Sequence, residues 1–372
     1  MRFLHLSDLH LGRRLYDLSL LEDQRFILEQ ILKLLDEKNA DGVLLAGDLY
    51  DKAVPAAEAV TLLDWFLTEL AGRDLPVFLV SGNHDSPERL AFGAHLLESS
   101  RIHISPVFQG AVPPVELADS EGPLRVYLLP FLKPVHVRRV YPEAQIETYT
   151  DAARTVLEHW DLDPNCRNVL VAHQLVTGAM RCESEALSIG GLDDVDAGVF
   201  AAFDYVALGH LHSPQFVGKD GRIRYCGTPL AYSFSEAGQE KSVTWVDLGK
   251  KGKVDVTVQA LSPLHPVRSL RGRFSKLMEE KSDDYLRVQL TDEDDVPNAL
   301  ARLRTAYPNL LRMEYDNRRT RASRTLEPVR EPTLSPLELL EDFYRLRNDQ
   351  PMGQNQRDLA AALMREIWED EP

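Results

Sequence analysis

The chain has 372 residues, of which 44% are hydrophobic, and a formal net charge of −16. This length exceeds the roughly 250–300 residues at which a single core stops growing, so more than one structural unit is expected. No stretch reaches the roughly 20 consecutive apolar residues of a membrane helix, and residues 1–8 lack the pattern of a secretion signal. These features predict a cytoplasmic protein. The negative charge disfavours phosphate binding in general, although bound cations reverse the sign locally.

The cysteines predict neither a disulfide framework nor a thiolate zinc site. Cys166, Cys182 and Cys226 are odd in number and contain no C-x-x-C pair, which leaves them as reduced thiols. His5 alternates with apolar neighbours in the first predicted strand, and we expect it to be a hydrogen-bonded interior residue.

Residues 1–87 alternate between strand and helix patterns. Strands are predicted at 3–7, 42–46 and 77–81, and helices at 20–38 and 56–73. In the first of these helices the apolar residues share one stripe and the charged ones face water, as in a helix packed on a sheet. The alternation predicts two βαβ units with right-handed crossovers.

Residues 88–212 continue to mix helix and strand patterns, and beyond residue 212 the pattern changes to strands and turns. Further elements are predicted as a helix at 88–99, a strand at 125–129, a helix at 150–160 and strands at 168–172, 203–208, 222–226, 242–247 and 254–260. A parallel-rich half followed by an antiparallel half favours an α/β (α+β) fold in which two sheets pack face to face with helices outside. The Gly- and Asp-rich segment 183–198 is expected to be a surface excursion.

The prolines at 263 and 266 mark a boundary, so residues 1–262 form the first predicted domain. Residues 263–317 alternate strand and helix, with a helix at 296–307, and predict a small α/β domain. Residues 318–336 are polar and basic, which is typical of a linker. Residues 337–372 contain two amphipathic helical patterns that would suit binding to a partner helix. The alternative is that these helices pack on the chain itself.

Five of the apolar runs end in polar residues of the kinds that bind metals. These strand ends carry Asp8, His10, Asp48, Asn83, His84, His173, His210 and His212. Ligands of open α/β sheets bind outside the carboxyl ends of the strands. Imidazole and carboxylate groups without thiolates suit Mn, Fe or Zn. The sequence therefore predicts one metal site assembled from five distant segments.

The roles within this site follow from residue type and position. Asp48 ends the central strand pair as a single carboxylate and is the natural bridge between two ions. Two ions roughly 3.5–4 Å apart stabilise the attacking and leaving oxygens of an in-line displacement. His84 follows Asn83 and points elsewhere, so we expect it to face the substrate, either as a proton donor to the leaving oxygen or as a group that stabilises the charge on the phosphorane. Asp85 is expected to hold the imidazole of His84 in position.

The order of motifs D-x-H, G-D, G-N-H-D, H and G-H-x-H resembles that of the calcineurin-like metallophosphoesterase superfamily. The segments MRFLHLSDLHLG, GDLYDKAVPAAEA, FDYVALGHLH and YCGTPLAYSFSE are similar to its double-strand-break repair nucleases. The resemblance implies two metal sites, preferably for manganese, and a transition-state role for His84. The implied ligand sets are Asp8, His10, Asp48 and His212 for one ion and Asp48, Asn83, His173 and His210 for the other. Some relatives have a histidine where this chain has Asp51, to which we assign no metal role.

The resemblance also implies a substrate and partners. It implies a DNA nuclease with exonuclease activity on double-stranded ends and endonuclease activity on single strands or hairpins. The domain at 263–317 would be a capping domain, and the tail at 337–372 would bind the coiled coil of an SMC-like ATPase. A homodimer is implied, but no residue establishes it. Lys133, Arg138, Arg139 and the Arg318–Arg324 cluster are candidate phosphate contacts, although each is individually more typical of a solvated surface.

Two alternatives stay open at this point. One is a phosphatase or phosphodiesterase that acts on a small molecule or a protein, for which the capping domain and tail would have no use. The other is a non-catalytic scaffold for the ATPase, which would have no reason to keep the ligands and His84 together.

Overall fold

The computed structural model describes residues 1–180, 194–318, 320, 336–348 and 350–370. Cys182, most of the predicted excursion at 183–198 and most of the predicted linker at 318–336 lie outside these ranges. In the ranges that are described, no helix has both the length and the apolar character needed to cross a membrane.

The predicted elements occur in the predicted order, but the helix expected at 88–99 is broken into Pro87–Leu90, Ala94–Leu97 and the 3₁₀ turn Glu98–Ser100, and several short elements were not predicted. The strands are β1 (Arg2–Leu6), β2 (Arg14–Leu15), β3 (Leu18–Ser19), β4 (Gly42–Ala46), β5 (Val77–Val80), β6 (Ile102–Ile104), β7 (Val115–Asp119), β8 (Gly122–Leu129), β9 (Arg167–His173), β10 (Tyr205–Gly209), β11 (Gln215–Val217), β12 (Ile223–Tyr225), β13 (Ser242–Leu248), β14 (Val254–Ala260), β15 (Val267–Gly272), β16 (Tyr285–Leu290) and β17 (Leu310–Tyr315). The α-helices are α1 (Leu21–Lys38), α2 (Ala57–Ala71), α3 (Pro87–Leu90), α4 (Ala94–Leu97), α5 (Pro134–Val140), α6 (Tyr149–Glu158), α7 (Phe274–Leu277), α8 (Ala299–Leu303), α9 (Pro336–Asn348) and α10 (Gln354–Asp370).

Two six-stranded sheets form the larger part of the molecule. The first has the order β14-β13-β1-β4-β5-β6, and the second has the order β11-β12-β10-β9-β8-β7. β1, β4 and β5 pair in parallel, as the two predicted βαβ units require. The expected separation into a parallel half and an antiparallel half is wrong, because the β13–β14 hairpin pairs antiparallel with β1 and extends the first sheet.

The two sheets pack face to face, and helices cover their outer sides. The core between the sheets includes Phe3, Leu44, Phe78, Val126, Val169 and Tyr205, all fully buried. Side chains alternate along a strand, so Leu4, Val43 and Leu45 point the other way and pack with α1 and α2. Burying one such side chain contributes roughly 1.5–3 kcal/mol. This arrangement confirms the predicted α/β two-sheet sandwich.

A third, smaller sheet follows the two prolines. Its order is β15-β16-β17, and both pairings are parallel. The helix expected at 296–307 is only Ala299–Leu303. A proline disfavours the helical conformation of the residue before it, and prolines at 297 and 308 bracket this segment. The prolines disfavour helix at residues 296 and 307, and the left-handed backbone of Asn298 (φ 52°) delays the helix start to Ala299.

The first turn of α1 connects the third sheet to the loop after β1. The buried Asp23 carboxylate accepts hydrogen bonds from the Tyr285 hydroxyl at 2.6 Å and from the His265 amide at 3.2 Å. Its neighbour Gln24 donates to the carbonyl of His10 at 2.8 Å. Adjacent residues of one helical turn thus contact the third sheet and the predicted metal-binding loop.

Candidate metal centre

The structure brings all the predicted metal ligands to one end of the sandwich. Asp8 and His10 follow β1, Asp48 follows β4 and Asn83 follows β5. His173 ends β9, and His210 and His212 follow β10. The side chains of Asp8, His10, Asp48, His173 and His212 are buried. The carboxyl ends of five strands in two sheets therefore enclose a single polar cluster.

The cluster has two adjoining parts. Ligand atoms of Asp8, His10 and His212 lie within 4.8 Å of one another, and so do those of Asp8, Asp48 and His173. The Oδ2 atom of Asp48 is 3.7 Å from Nε2 of His10 and 3.4 Å from Nε2 of His173. Asp48 therefore lies between the two parts, where a bridging carboxylate would have to be.

Asn83 completes the second part. Its Oδ1 atom is 3.0 Å from Nε2 of His173 and 3.0 Å from Nδ1 of His210. The other ring nitrogen of His173 donates to the carbonyl of Ala46 at 2.8 Å, which fixes the imidazole tautomer and directs Nε2 into the cluster.

The backbone turns sharply where these ligands leave their strands. Asp8, His10 and Asp48 have φ values of 53°, 42° and 49°, in the left-handed region. Such conformations cost roughly 1–3 kcal/mol each and concentrate at functional sites. Gly209 allows the sheets to approach here, because a Cβ atom at this position would lie 1.8 Å from the carbonyl oxygen of Ala46.

The residues present fit a divalent metal centre. Both ring nitrogens of His10 are buried, and neither has a hydrogen-bond partner within the part of the chain that the structure describes. Leaving such a group unsatisfied costs roughly 1–3 kcal/mol, and a metal bond to one nitrogen would remove part of that cost. The donors are imidazole nitrogens with carboxylate and amide oxygens, a set that suits Mn, Fe or Zn.

Burial and mutual interaction strongly perturb the ionisation of the groups in the cluster. Burial raises the pKa of Asp8 to about 6 and lowers the pKa of His10 well below its usual value. Burial alone would raise the pKa of Asp48, but His173 and His10 hold it well below its usual range. Burial lowers the pKa of His173, but Asp48 outweighs it and raises this pKa to about 9. Metal binding would therefore displace protons from the cluster.

His84 lies at the edge of the cluster, and 37% of its side chain is exposed. Its Nδ1–H donates to the carbonyl oxygen of Asp51 at 3.0 Å, and its Nε2 is 4.0 Å from Oδ2 of Asp48. His84 is thus close to the ligands and open to solvent, as expected for a group that meets a substrate.

The expectation that Asp85 holds the imidazole of His84 is wrong. The Asp85 carboxylate turns back into the protein and accepts hydrogen bonds from the amides of Leu49, Tyr50 and Gly82 at 3.1, 2.9 and 2.9 Å. Asp85 joins the loop after β4 to the loop after β5, and the main chain of Asp51 orients His84 instead.

Sequence reasoning missed Glu236. Its Oε1 atom is 3.1 Å from Nδ1 of His212, and its Oε2 atom is 2.6 Å from Nζ of Lys241. The only signal was an acidic residue at the end of the otherwise uncharged YCGTPLAYSFSE segment. His5 is satisfied as expected, through the Tyr205 hydroxyl and the Leu208 carbonyl at 2.9 and 3.2 Å.

Comparison with protein families gives the class of this protein. The family model for calcineurin-like phosphoesterases matches residues 1–214, and the model described as "Type 5 capsule protein repressor C-terminal domain" matches residues 263–348. The chain belongs to the calcineurin-like phosphoesterase family, and it is a metal-dependent phosphoesterase with divalent ions as its cofactors.

Comparison with individual proteins is more specific. The chain is 31% identical over 383 residues to the SbcD subunit of the nuclease SbcCD from Staphylococcus epidermidis, with 100% of both chains covered. Among solved structures, TT1561 of Thermus thermophilus is 14% identical with a TM-score of 0.38 and covers 69% of this chain and 97% of its own. A dimetal phosphatase from Danio rerio is 13% identical with a TM-score of 0.41 and covers 70% of this chain and 96% of its own.

Proposed function

We propose that the chain is the nuclease subunit of an SbcCD-type complex and hydrolyses DNA phosphodiester bonds. The observation that carries the proposal is the pair of adjoining groups of candidate ligands, with Asp48 3.7 Å from His10 in one and 3.4 Å from His173 in the other, and the partly exposed His84 beside them. The full-length similarity to a protein named as a nuclease supports this over a small-molecule phosphatase. The proposed activities are exonuclease action on double-stranded ends and endonuclease action on single strands or hairpins.

The proposed ligands divide into two sets that share Asp48. One set is Asp8, His10, Asp48 and His212, and the other is Asp48, Asn83, His173 and His210. We propose manganese as the bound metal. Two divalent ions would supply positive charge to the scissile phosphate and generate a nucleophile at neutral pH.

The proposed task of His84 is proton transfer. Its Nδ1–H is held by the Asp51 carbonyl, so Nε2 is the atom left to face the leaving oxygen and give it a proton. Asp85 contributes by fixing the loops that carry Asp48 and Asn83, through the three amides that donate to it.

We also propose a division of labour along the chain. Residues 1–262 would be the nuclease domain, 263–317 the capping domain, 318–336 a linker and 337–372 the partner-binding tail. The sequence model that matches residues 263–348 supports a separate unit after the nuclease domain. The third sheet has its own core, which includes Phe274, Leu286, Val288 and Leu303.

The proposed partner is an SbcC-type ATPase, bound through its coiled coil by the tail helices. α9 and α10 contact each other through Arg357 and Glu341, whose side chains are 2.5 Å apart. Apolar side chains remain exposed on both helices, namely Leu339, Phe343, Leu359 and Leu363. An exposed apolar face of this kind suits a partner helix. We also propose that the complex contains two copies of each subunit and acts in the cytoplasm.

The test is cleavage of a labelled DNA hairpin with manganese, beside a generic phosphatase substrate, with and without SbcC. We expect manganese-dependent hairpin cleavage that SbcC stimulates. Efficient turnover of the phosphatase substrate without any DNA cleavage would favour the alternative function instead.

Replacing His84 with Gln should abolish cleavage in this assay and leave metal binding unchanged, because the amide cannot act as a proton donor of suitable pKa. Loss of the order of 10²–10⁴-fold in the cleavage rate is typical of a general acid. Metal content is measured in parallel on the same preparation, and simultaneous loss of metal would contradict the role given to His84. His95→Gln, on an exposed histidine away from the cluster, is the matched control.

Deleting residues 337–372 should release SbcC and preserve manganese-dependent cleavage of short DNA, because the tail contributes no proposed ligand. Binding is measured by size-exclusion chromatography of the mixed proteins. If the shortened chain still co-elutes with SbcC, the partner binds elsewhere and the tail serves another purpose.

A further inference from the structure

Glu236 is a fully buried carboxylate next to the proposed metal centre. It ends the 3₁₀ turn Phe234–Glu236. Its Oε1 atom lies 3.1 Å from Nδ1 of His212 and 3.1 Å from Oγ of Ser233. Its Oε2 atom lies 2.6 Å from Nζ of Lys241 and 3.3 Å from Oγ1 of Thr228. Both oxygens of this carboxylate are therefore fully used by the protein, and neither is available to bind an ion.

The contact with His212 determines which of its ring nitrogens can bind a metal. An ionised carboxylate only accepts hydrogen bonds, so Nδ1 of His212 must carry the proton. Nε2 then keeps its lone pair for the cluster formed with Asp8 and His10. When the ring nitrogen that does not bind the metal donates such a hydrogen bond, the ligand imidazole is oriented and its basicity is raised.

Lys241 compensates the charge of the buried carboxylate and holds the main chain of the same histidine. Its side chain is almost fully buried, and besides Glu236 its Nζ atom contacts Oγ1 of Thr228 at 2.8 Å and the carbonyl of His212 at 3.4 Å. An uncompensated buried charge is strongly destabilising, whereas a paired and hydrogen-bonded one is tolerated. The ring and the carbonyl of His212 are thus both held by the Glu236–Lys241 pair.

His212 differs in this respect from two other histidines of the site. His173 and His84 each donate from Nδ1 to a neutral main-chain carbonyl, those of Ala46 and Asp51. His212 donates to a carboxylate that carries a full charge. The ligand set containing His212 therefore depends on an ionised group outside the set.

We propose that Glu236, with Lys241 as its counter-ion, is a positioning residue that fixes the tautomer and orientation of His212 for one of the two metal ions. The inference rests on the proposed metal centre and assigns a role to two residues that the ligand motifs do not include. It does not make Glu236 a ligand or a catalytic residue.

The experiment titrates Mn²⁺ into the metal-free full-length chain by calorimetry. We expect wild type to bind two ions and Glu236→Gln to bind one of them about 10–100-fold more weakly, the usual effect of losing such a partner. Glu240→Gln makes the same change on the exposed neighbouring residue and should leave both affinities unchanged.

A second variant distinguishes a loss of metal affinity from a loss of folding. Glu236→Gln leaves Lys241 buried without its counter-ion, so we also use Glu236→Gln combined with Lys241→Met, which removes both charges at once. This double variant should recover the melting temperature of wild type and keep the 10–100-fold weaker binding. Full affinity for both ions in either folded variant would overturn the proposal.

Nitrogen NMR of the metal-free chain gives a readout that does not depend on metal binding. With ¹⁵N-labelled histidine, the His212 signals, assigned as those lost in His212→Asn, should be those of the Nδ1–H tautomer in wild type. They should change in Glu236→Gln but not in Glu240→Gln, and an unchanged His212 tautomer would count against the proposal. If the wild-type chain does not bind two ions, the proposed metal centre is wrong. This result is distinguishable from a failure of the role proposed for Glu236.

Discussion

Asp85 is adjacent to His84 in the chain but acts on different atoms. Its carboxylate accepts hydrogen bonds from three main-chain amides, two in the loop after β4 and one in the loop after β5. Burial and the nearby Asp48 carboxylate raise its pKa to about 6. A carboxylate that is costly to bury and is held by three donors is best explained as the link between these two loops.

Replacing Asp85 with Asn should lower the free energy of unfolding by about 1–3 kcal/mol, because the amide offers one acceptor oxygen to three donors. We also expect weaker manganese binding, since Asp48 and Asn83 are on the loops that Asp85 joins. Urea denaturation and metal titration measure the two effects, with Asp64→Asn on the exposed face of α2 as control. Normal stability combined with lost cleavage would restore a direct role beside His84.

The sequence located the predicted ligands because each follows an apolar strand, and strand ends of a parallel sheet meet at one edge. Glu236 had no comparable signal, because it lies on a 3₁₀ turn 24 residues from the histidine that it contacts. The direction of Asp85 was also beyond the sequence, since adjacency in a tight turn does not tell where a side chain points. Residue types at strand ends are therefore predictable, whereas contacts made across turns are not.

At the level of elements, periodicity predicted the strands and helices but not which sheet each strand joins. The segment LGKKGK at 248–253 is typical of a hairpin turn between β13 and β14, but no local pattern indicates that β13 pairs with β1. Thr244 of β13 lies opposite His5 and accepts a buried hydrogen bond from Arg224 of the second sheet at 3.0 Å. Such a contact between distant segments leaves no trace in local periodicity.

At the scale of the whole molecule, different contacts join the two sheets at the two ends of the sandwich. The carboxyl ends of the strands carry the candidate metal centre, whose predicted ligands come from both sheets. Arg167, the first residue of β9, lies at the opposite end of its strand. Its guanidinium contacts both carboxylate oxygens of Asp119, at 2.5 and 3.1 Å, and the carbonyls of Leu248 and Gly249 at 3.4 and 3.3 Å. Arg167 therefore joins the edge of the second sheet to the hairpin of the first.

Replacing Asp119 with Asn should lower the free energy of unfolding at pH 7 by about 1–3 kcal/mol, because Arg167 is buried and loses a charged partner. The Arg167 hydrogen bonds hold the pKa of Asp119 well below its usual range. A depressed carboxyl pKa stabilises the folded state fully above the unfolded value of about 3.9, and this stabilisation is lost as the pH falls further. The difference in free energy of unfolding between wild type and Asp119→Asn should therefore be constant from pH 7 to about 5 and shrink below about pH 4.

Urea denaturation across this pH range measures the difference, with Glu121→Gln on an exposed neighbour as control. Manganese affinity should not change in Asp119→Asn, and a loss of metal would mean that the two ends of the sandwich are coupled.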